Sequence, residues 1–474
     1  MIIKGGNVAL PGNTEFVRKD LHIKNGKIAK IKSPSQNGAY RQGEEFIDAA
    51  DCWVLPGGID PHVHFFDPGY THKEDFTHGT AAAASGGITT VIDMPCTSVP
   101  PVSSAENLDI KLKAIENKAV TDFGFFGGIS RQVFEAHGTS LLESLKGKVL
   151  GIKCYFVSGM ENIWGALDHF RFSKVMEAAL DIGVPVLLHA EDASYVLPAT
   201  DAAHVKGNNP QEWYESRPEI AEAIAVENAV RIAEKTGGNL HIVHIGTAEA
   251  AAVLQARWRD PSEAVYQSGK STQNSQEAII TGETCPHYLA FTLDDFISQG
   301  PVLKVAPPVK SKGNNKELWN YLANGTLSFI ASDHAPGSPK EKSGSNIWDN
   351  SCGIAGTATL VPYAFSEGYL SGKITLPRFL QITSEAAAKR YQLWDRKGSI
   401  EQGKDADFVI IDMKRHWTVK GNAFLSKSNL TPFEKQTFHG LIKRTIVRGR
   451  TVYNCDKGGI VVPKGWGQFL LPSV

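Results

Sequence analysis

The sequence has no apolar run long enough to cross a bilayer, no CxxC pair and almost no net charge. Each absence removes a class of function. Without about 20 consecutive apolar residues there is no candidate membrane-spanning helix. Lysine plus arginine (49) nearly balance aspartate plus glutamate (50), for a formal net charge of −1. No electrostatic footprint therefore points to nucleic acid or an anionic membrane as a partner. The six cysteines, Cys52, Cys96, Cys154, Cys285, Cys352 and Cys455, are scattered. That spacing argues against a cysteine-built zinc site and implies reduced thiols in a cytoplasmic protein. The N-terminal stretch MIIKGGNVALPG is interrupted by Gly, Asn and Pro, unlike a secretion signal.

What is present is globular and large. Hydrophobic residues at 42% and charged residues at 21% are ordinary for a packed protein. A chain of 474 residues can hold one large α/β barrel plus a smaller module. Residues 1 to about 55 read as short strands and turns, and LHIKNGKIAKI places alternating apolar residues around Asn25-Gly26, a hairpin signal. From about residue 50, short apolar runs alternate with helical stretches. The runs cover 54–64, 88–95, 122–129, 149–156, 184–191, 240–247, 278–289 and 327–336. Between them lie segments such as 218–236, with Pro218 at the first turn of a helix. Repeated strand–helix alternation predicts an α/β fold, a (β/α)8 TIM-type barrel over 55–394, rather than a doubly wound open sheet. Helices are expected near 355–370 and 376–393. Strands return at 403–412 and 442–453, so residues 1–54 and 395–474 are expected to build one composite β-sandwich domain. The polar stretches 258–276 and 337–350 read as surface loops near the barrel mouth or rim.

The unusual polar residues fall at predicted strand ends, where a barrel carries its active site. In PGGIDPHVHFFDPG (56–69), His62 and His64 stand two apart on a strand, so they share a face, and Asp60 shares it with them. Two imidazoles side by side suit a divalent metal, although a pair of core histidines bonded to backbone would look the same. His189 closes VPVLLHAE, His244 closes LHIVHIGT and Asp333 closes LSFIASDHAP. Each is a metal-ligand type on a separate strand. His241 and His334 should face the other way and serve packing, and His287 in CPHYL sits at the rim with no role assigned.

Lys153 lies inside the apolar run VLGIKCYF. Burying it as a cation is costly. Either it snorkels to water at the strand end, or it is a desolvated amine able to add carbon dioxide and become a carbamate, an anionic oxygen donor. Four histidines, one aspartate and one such lysine suit two divalent metals, about 3.5–4 Å apart, that activate a water and polarise a carbonyl. Asp333 can ligate metal and also act as the catalytic acid/base that carries a proton to a leaving nitrogen. The expected chemistry is metal-assisted hydrolysis of a carbonyl–nitrogen bond.

The chain resembles the amidohydrolase superfamily, and within it the cyclic amidohydrolases: allantoinase, hydantoinase/dihydropyrimidinase and dihydroorotase. The resemblance spans essentially the whole chain. It rests on PGGIDPHVH (56–64), PGYTHKEDFTHGTAAAASGGITTVIDMP (68–95), GIKCYF (151–156), LLHAED (187–192), IVHIGTAEA (242–250), ETCPHYL (283–289), SDHAP (332–336) and GKDADFVIID (403–412). It implies that His62 and His64 hold one metal and His189 and His244 the other. It further implies that carboxylated Lys153 bridges two divalent ions, zinc foremost, and that Asp333 ligates the first. It implies the barrel-plus-sandwich fold, a small cyclic amide substrate and a homotetramer or homodimer.

Among members, dihydroorotases usually carry Arg where this chain has Phe66, Asn where it has Cys96, and His where it has Gly337. A substrate carboxylate would meet an apolar wall here. Hydantoinases usually place Tyr where this chain has Ser158. The allantoinase-like stretches are WYESRPEIAEAIA (213–225), GIAGTATLVP (353–362), RTIVRGRTVY (444–453) and VVPKGWGQFL (461–470), although Phe66-Asp67 and Cys96-Thr97 depart from the usual Asn-Glu and Leu-Asn. The resemblance therefore implies allantoin as substrate, with hydantoinase- or dihydroorotase-type activity as alternatives. A non-catalytic scaffold of the same fold is disfavoured, because all six ligand positions carry suitable residues.

Overall fold

The computed structural model describes residues 1–34, 45–257 and 278–473; the polar stretch 258–276 lies outside them. The N-terminal segment forms β1 (Ile2–Val8), β2 (Val17–Lys24), β3 (Lys27–Lys32), β4 (Phe46–Asp48) and β5 (Cys52–Pro56). Asn25 (φ 53°) and Gly26 (φ 74°) both take left-handed backbone between β2 and β3, the two-residue turn whose twist matches that of its strands.

Gly57 alone separates β5 from the barrel. A Cβ there would lie 2.1 Å from Thr89 Oγ1, so glycine is what permits this close crossing. The barrel strands follow: β6 (Gly58–Val63), β7 (Ile88–Asp93), β8 (Asp122–Phe125), β9 (Gly127–Gly128), β10 (Ile152–Tyr155), β11 (Val186–His189), β12 (Leu240–Ile242), β13 (Ile280–Thr284) and β14 (Phe329–Ile330). All their ladders are parallel. β6, β7 and β8 pair in order, as do β9 through β14. Phe126 alone interrupts β8 and β9, which therefore count as one kinked stave. At the other seam Val63 pairs with His334, closing a (β/α)8 barrel. The strand cores are buried on both faces, as a parallel barrel requires.

The helices between staves begin at sequence-encoded caps. Asp75, Ser104, Ser130, Asp168, Asp192 and Thr247 each accept from the backbone N–H three residues on, an interaction worth about 1 kcal/mol apiece. The helix predicted from Pro218 runs Glu219–Thr236, with Pro218 just before it. Among the described residues no helix is long and apolar enough to cross a membrane.

The chain ends in β15 (Phe408–Thr418), β16 (Thr437–Val447), β17 (Arg450–Asn454) and β18 (Gly459–Ile460). β15 pairs antiparallel with β5, so strands from both ends form one continuous nine-stranded sheet beside the barrel. The period of β15 explains the junction. Phe408 and Ile410 enter the sheet's own core with Ile3, Leu21 and Val54, while Val409 and Ile411 join the barrel's core. Residues 337–350 form a loop with most residues exposed or half-exposed. They hold two short 3-10 turns, Pro339–Lys342 and Ile347–Asp349, with Ile347 and Lys342 buried. Lys342 Nζ donates to the carbonyls of Pro301 (3.0 Å) and Ser351 (3.1 Å), which satisfies the buried cation.

A buried ion cluster fastens sheet to barrel. Lys397 Nζ lies 2.6 Å from Asp122 at the start of β8, 2.7 Å from Asp407 and 3.1 Å from Asp405. Arg448 also contacts Asp122. Removing the central cation leaves buried carboxylates facing one another. Lys397→Met is therefore expected to cost about 3–5 kcal/mol, read as a lowered denaturant midpoint in equilibrium unfolding; an unchanged midpoint would remove the cluster from any role in stability.

Candidate metal centre

His62 stands in β6 and His64 one residue beyond it. Lys153 is in β10, His189 ends β11, His244 follows β12 and Asp333 follows β14. The parallel strands all point the same way, so these side chains gather at one end of the barrel. Two of them need unusual backbone: His244 has φ 40° and Asp333 φ 47°. Non-glycine residues in this region cost about 1–3 kcal/mol and cluster where a site demands a particular aim.

Two groups result. In the first, Asp333 Oδ1 lies 3.2 Å from His62 Nε2 and 3.4 Å from His64 Nε2. Ligand atoms of all three fall within 4.8 Å of one another. In the second, His189 Nδ1 faces His244 Nε2 at 3.0 Å. The groups adjoin, with the His62 and His244 ring centroids 5.4 Å apart. Burial holds His62 and His244 well below the ordinary histidine pKa, and lowers His189 despite its contact with Glu191. Neutral imidazole is the metal-ligating form.

Lys153 does not snorkel. It is fully buried, and its Nζ has no hydrogen-bond partner among the described residues. Burial lowers its pKa to about 8, against the pull of Cys96, Asp333 and Glu283. The amine thus has a substantial neutral fraction near physiological pH, the form that adds carbon dioxide. An orphaned, partly neutral amine beside four imidazoles and a carboxylate is a donor set that fits two divalent cations.

Two carboxylates behind the histidines escaped the sequence reading. Glu283 on β13 is completely buried. Its Oε1 lies 2.6 Å from His62 Nδ1 and accepts from the His244 backbone N–H at 3.3 Å, while its Oε2 is 3.2 Å from His241 Nε2. Burial pushes its carboxyl well above the ordinary range, opposed by the Lys153 ammonium. Glu191 Oε2 lies 2.8 Å from His189 Nε2 and contacts Arg217. Glu283 stands among Thr281, Gly282 and Thr284, so its strand gave no such contrast as Lys153 has in VLGIKCYF. His241, expected only to pack, stacks on Phe329 but also shares Glu283 with His62. His334 does face away, with Nε2 3.3 Å from Glu74 and Nδ1 accepting from Thr357 N at 3.4 Å. Beside the cluster, Tyr155 stacks against His189 with ring centroids 5.2 Å apart, and its hydroxyl lies 3.2 Å from Cys96 Sγ.

Two other groups of potential ligands occur among the described residues. One is Glu74, Asp75 and His78, and the other Asp122, Asp405 and Asp407. Both are neutralised by protein cations, Lys427 at 2.7 Å from Asp75 and Lys397 in the ion cluster, so they read as structural.

The chain matches the Amidohydrolase family over residues 53–452. It is 32% identical over 475 residues to an allantoinase of Rubrobacter xylanophilus, covering 100% of this chain and 98% of that one. It is 33% identical to an allantoinase of Solibacter usitatus, covering 100% and 97%. Its structure is similar to that of the L-hydantoinase (dihydropyrimidinase) from Arthrobacter aurescens, with a TM-score of 0.89, 26% identity and coverage of 100% and 99%.

A carboxylate behind a ligating imidazole fixes its tautomer and orientation. Glu283→Gln is therefore expected to weaken retention of divalent metal about 10–100-fold, measured by chelator competition. Wild-type affinity in that variant would mean that Glu283 serves folding alone.

Proposed function

The chain belongs to the amidohydrolase family, and from that premise we propose that it opens the ring of allantoin by hydrolysis to allantoate. It is an enzyme acting on carbon–nitrogen bonds, other than peptide bonds, in cyclic amides. The substrate assignment is supported by the full-length similarity to allantoinases at 32–33% identity. The apolar Phe66 and Cys96 wall supports it as well, since a carboxylate-bearing ring such as dihydroorotate would be uncompensated there. A second reading, hydantoin or dihydropyrimidine as the ring, draws on the structural similarity to hydantoinase.

The observation that carries the mechanism is that the two donor groups adjoin at the barrel end where the buried Lys153 amine has no hydrogen-bond partner among the described residues. In this reading His62, His64 and Asp333 hold one divalent cation and His189 and His244 the other. Lys153, as its carbamate, supplies a shared donor, and zinc suits this nitrogen- and oxygen-rich set. Two such ions supply Lewis-acid activation of water and of the substrate carbonyl.

The remaining work falls to the chain. Burial would raise the Asp333 carboxyl, but His62, His64 and His244 hold it well below the carboxylate range, so it is a base at neutral pH. As water adds to the ring carbonyl carbon, Asp333 takes its proton. As the carbon–nitrogen bond breaks, Asp333 returns that proton to the departing nitrogen, leaving a ureido group and a carboxylic acid whose remaining proton passes to solvent to give the carboxylate. Glu283 and Glu191 keep His62 and His189 aimed.

The proposal extends to organisation. Residues 55–394 act as the catalytic barrel, while 1–54 and 395–474 act as its β-sandwich partner. The chain works as a homotetramer or homodimer. All six cysteines are free and four are buried, which suits a reducing cytoplasm.

A substrate panel on the zinc-loaded protein tests the reading, using allantoin, hydantoin, dihydrouracil, dihydroorotate and N-acyl amino acids. The highest kcat/KM is expected for allantoin and none for dihydroorotate; preference for an acyclic N-acyl amino acid would overturn the ring-opening assignment. Asp333→Asn is expected to retain metal in elemental analysis while losing about 10²–10⁴-fold in kcat. Near-wild-type turnover would remove Asp333 from the proton transfer.

A further inference from the structure

Behind the second donor group the line of contacts runs one residue deeper than behind the first. Glu191, two residues past His189, is buried, and its Oε2 lies 2.8 Å from His189 Nε2. The same oxygen accepts from Arg217 Nη1. Arg217 lies in the turn between the helices Pro210–Glu215 and Glu219–Thr236, inside the stretch WYESRPEIAEAIA. It is buried as well, and three contacts fix it. Its guanidinium carbon lies 4.9 Å from the centroid of the Trp213 ring, whose N–H donates to the Val305 carbonyl at 2.9 Å. Its backbone N–H donates to the Tyr214 carbonyl at 3.1 Å. Its own carbonyl accepts from the buried Lys310 ammonium at 2.7 Å. Glu283, behind His62, has no such backing. It contacts His62, His241 and the His244 backbone N–H, but no lysine or arginine among the described residues.

A guanidinium keeps its charge inside a protein. The Glu191 carboxylate paired with it is ionised, and an ionised carboxylate can only accept. The proton of a neutral His189 therefore stands on Nε2. That leaves Nδ1 as a bare lone pair, 3.0 Å from His244 Nε2, where the second cation belongs in the two-ion reading. Without Arg217 the buried Glu191 charge loses its partner, a strongly unfavourable state, and nothing anchors the carboxylate on His189. The His189 proton is then free to stand on Nδ1. An N–H bond from there to His244 Nε2 would occupy both atoms that should take the cation.

We propose that Arg217 is a positioning residue for the second metal: by holding Glu191 on His189 Nε2, it keeps His189 Nδ1 and His244 Nε2 open to a divalent cation. The inference rests on the two-cation part of the proposed function. It adds that one of the two sites depends on a turn outside the barrel strands, while the other does not.

The test follows zinc release from the zinc-loaded full chain to a competing chelator, with no substrate present. In Arg217→Gln one zinc per chain is expected to be held about 10–100-fold more weakly, while the other stays within about threefold of wild type. Arg217→Lys, which keeps a charge, should recover part of that loss. On a Glu191→Gln background, adding Arg217→Gln should weaken retention by no more than about threefold further, because the two residues act as one unit. Unchanged retention in Arg217→Gln would overturn the assignment. So would equal weakening of both zinc ions, or the full loss reappearing in the double variant. If Arg217→Gln alone does not fold, the double variant against Glu191→Gln decides, since removing both charges leaves neither buried and unpaired. Failure here is separable from failure of the two-cation reading. A wild type that holds two zinc ions, matched by Arg217→Gln, overturns this inference alone, whereas a wild type that holds fewer than two overturns both.

Discussion

A dry place for ionisable groups is the constraint on which the rest of this structure depends. Lys153, His62, His189, His244 and Glu283 are all buried at one end of the barrel. Desolvation is the first cause of perturbed proton affinity in each of them. It lowers the proton affinity of His62, His189 and His244, whereas Asp333 and Cys96 hold His64 up at about 9, and it leaves the lysine amine partly neutral. Both effects convert groups that would repel a cation into groups that bind one. The barrel makes this possible because its parallel strands, covered by helices, exclude water from everything but the mouth.

Holding such a cluster together requires more than proximity. The histidines are clamped from behind by carboxylates, Glu283 on His62 and Glu191 on His189, and Glu283 also grips the backbone of His244 and the ring of His241. One side chain thus ties the two donor groups to each other. Farther out, Asp93 at the end of β7 accepts from the Phe65 backbone N–H at 2.8 Å and pairs with fully buried Lys111 at 2.5 Å. The segment between His64 and Phe66 is thereby fixed. Asp60 bonds both the backbone and the hydroxyl of Ser332, at 3.0 and 2.5 Å, which seats the turn that aims Asp333. The left-handed backbone at His244 and Asp333 persists because these contacts over-determine it.

Much of this was legible in the sequence, for identifiable reasons. Strand positions could be read because most staves lie in short apolar runs ended by Gly, Pro or a polar residue. The hairpin at Asn25-Gly26 could be read because only a few residue pairs accept its backbone. Lys153 stood out as a charge inside an apolar run. Glu283 did not, because Thr281, Gly282 and Thr284 around it make a polar side chain unremarkable. His241 was assigned to packing because strand alternation says which face a residue takes, but not that a carboxylate on the neighbouring stave reaches across to it. The burial of Lys342 within 337–350 could not be read, because its partners are carbonyls of Pro301 and Ser351, which local composition does not encode.

The sequence by itself determined the kind of chemistry: which residues have lone pairs to offer, on which strands, and at what spacing, because period two and strand order are local properties of the chain. Only the tertiary structure decided which of those groups meet and which are left without partners. The 3.0 Å approach of His189 to His244 and the burial of the Lys153 amine arise from closing the barrel. Closure brings together residues far apart in the chain and removes water from between them, and no stretch of sequence contains that exclusion.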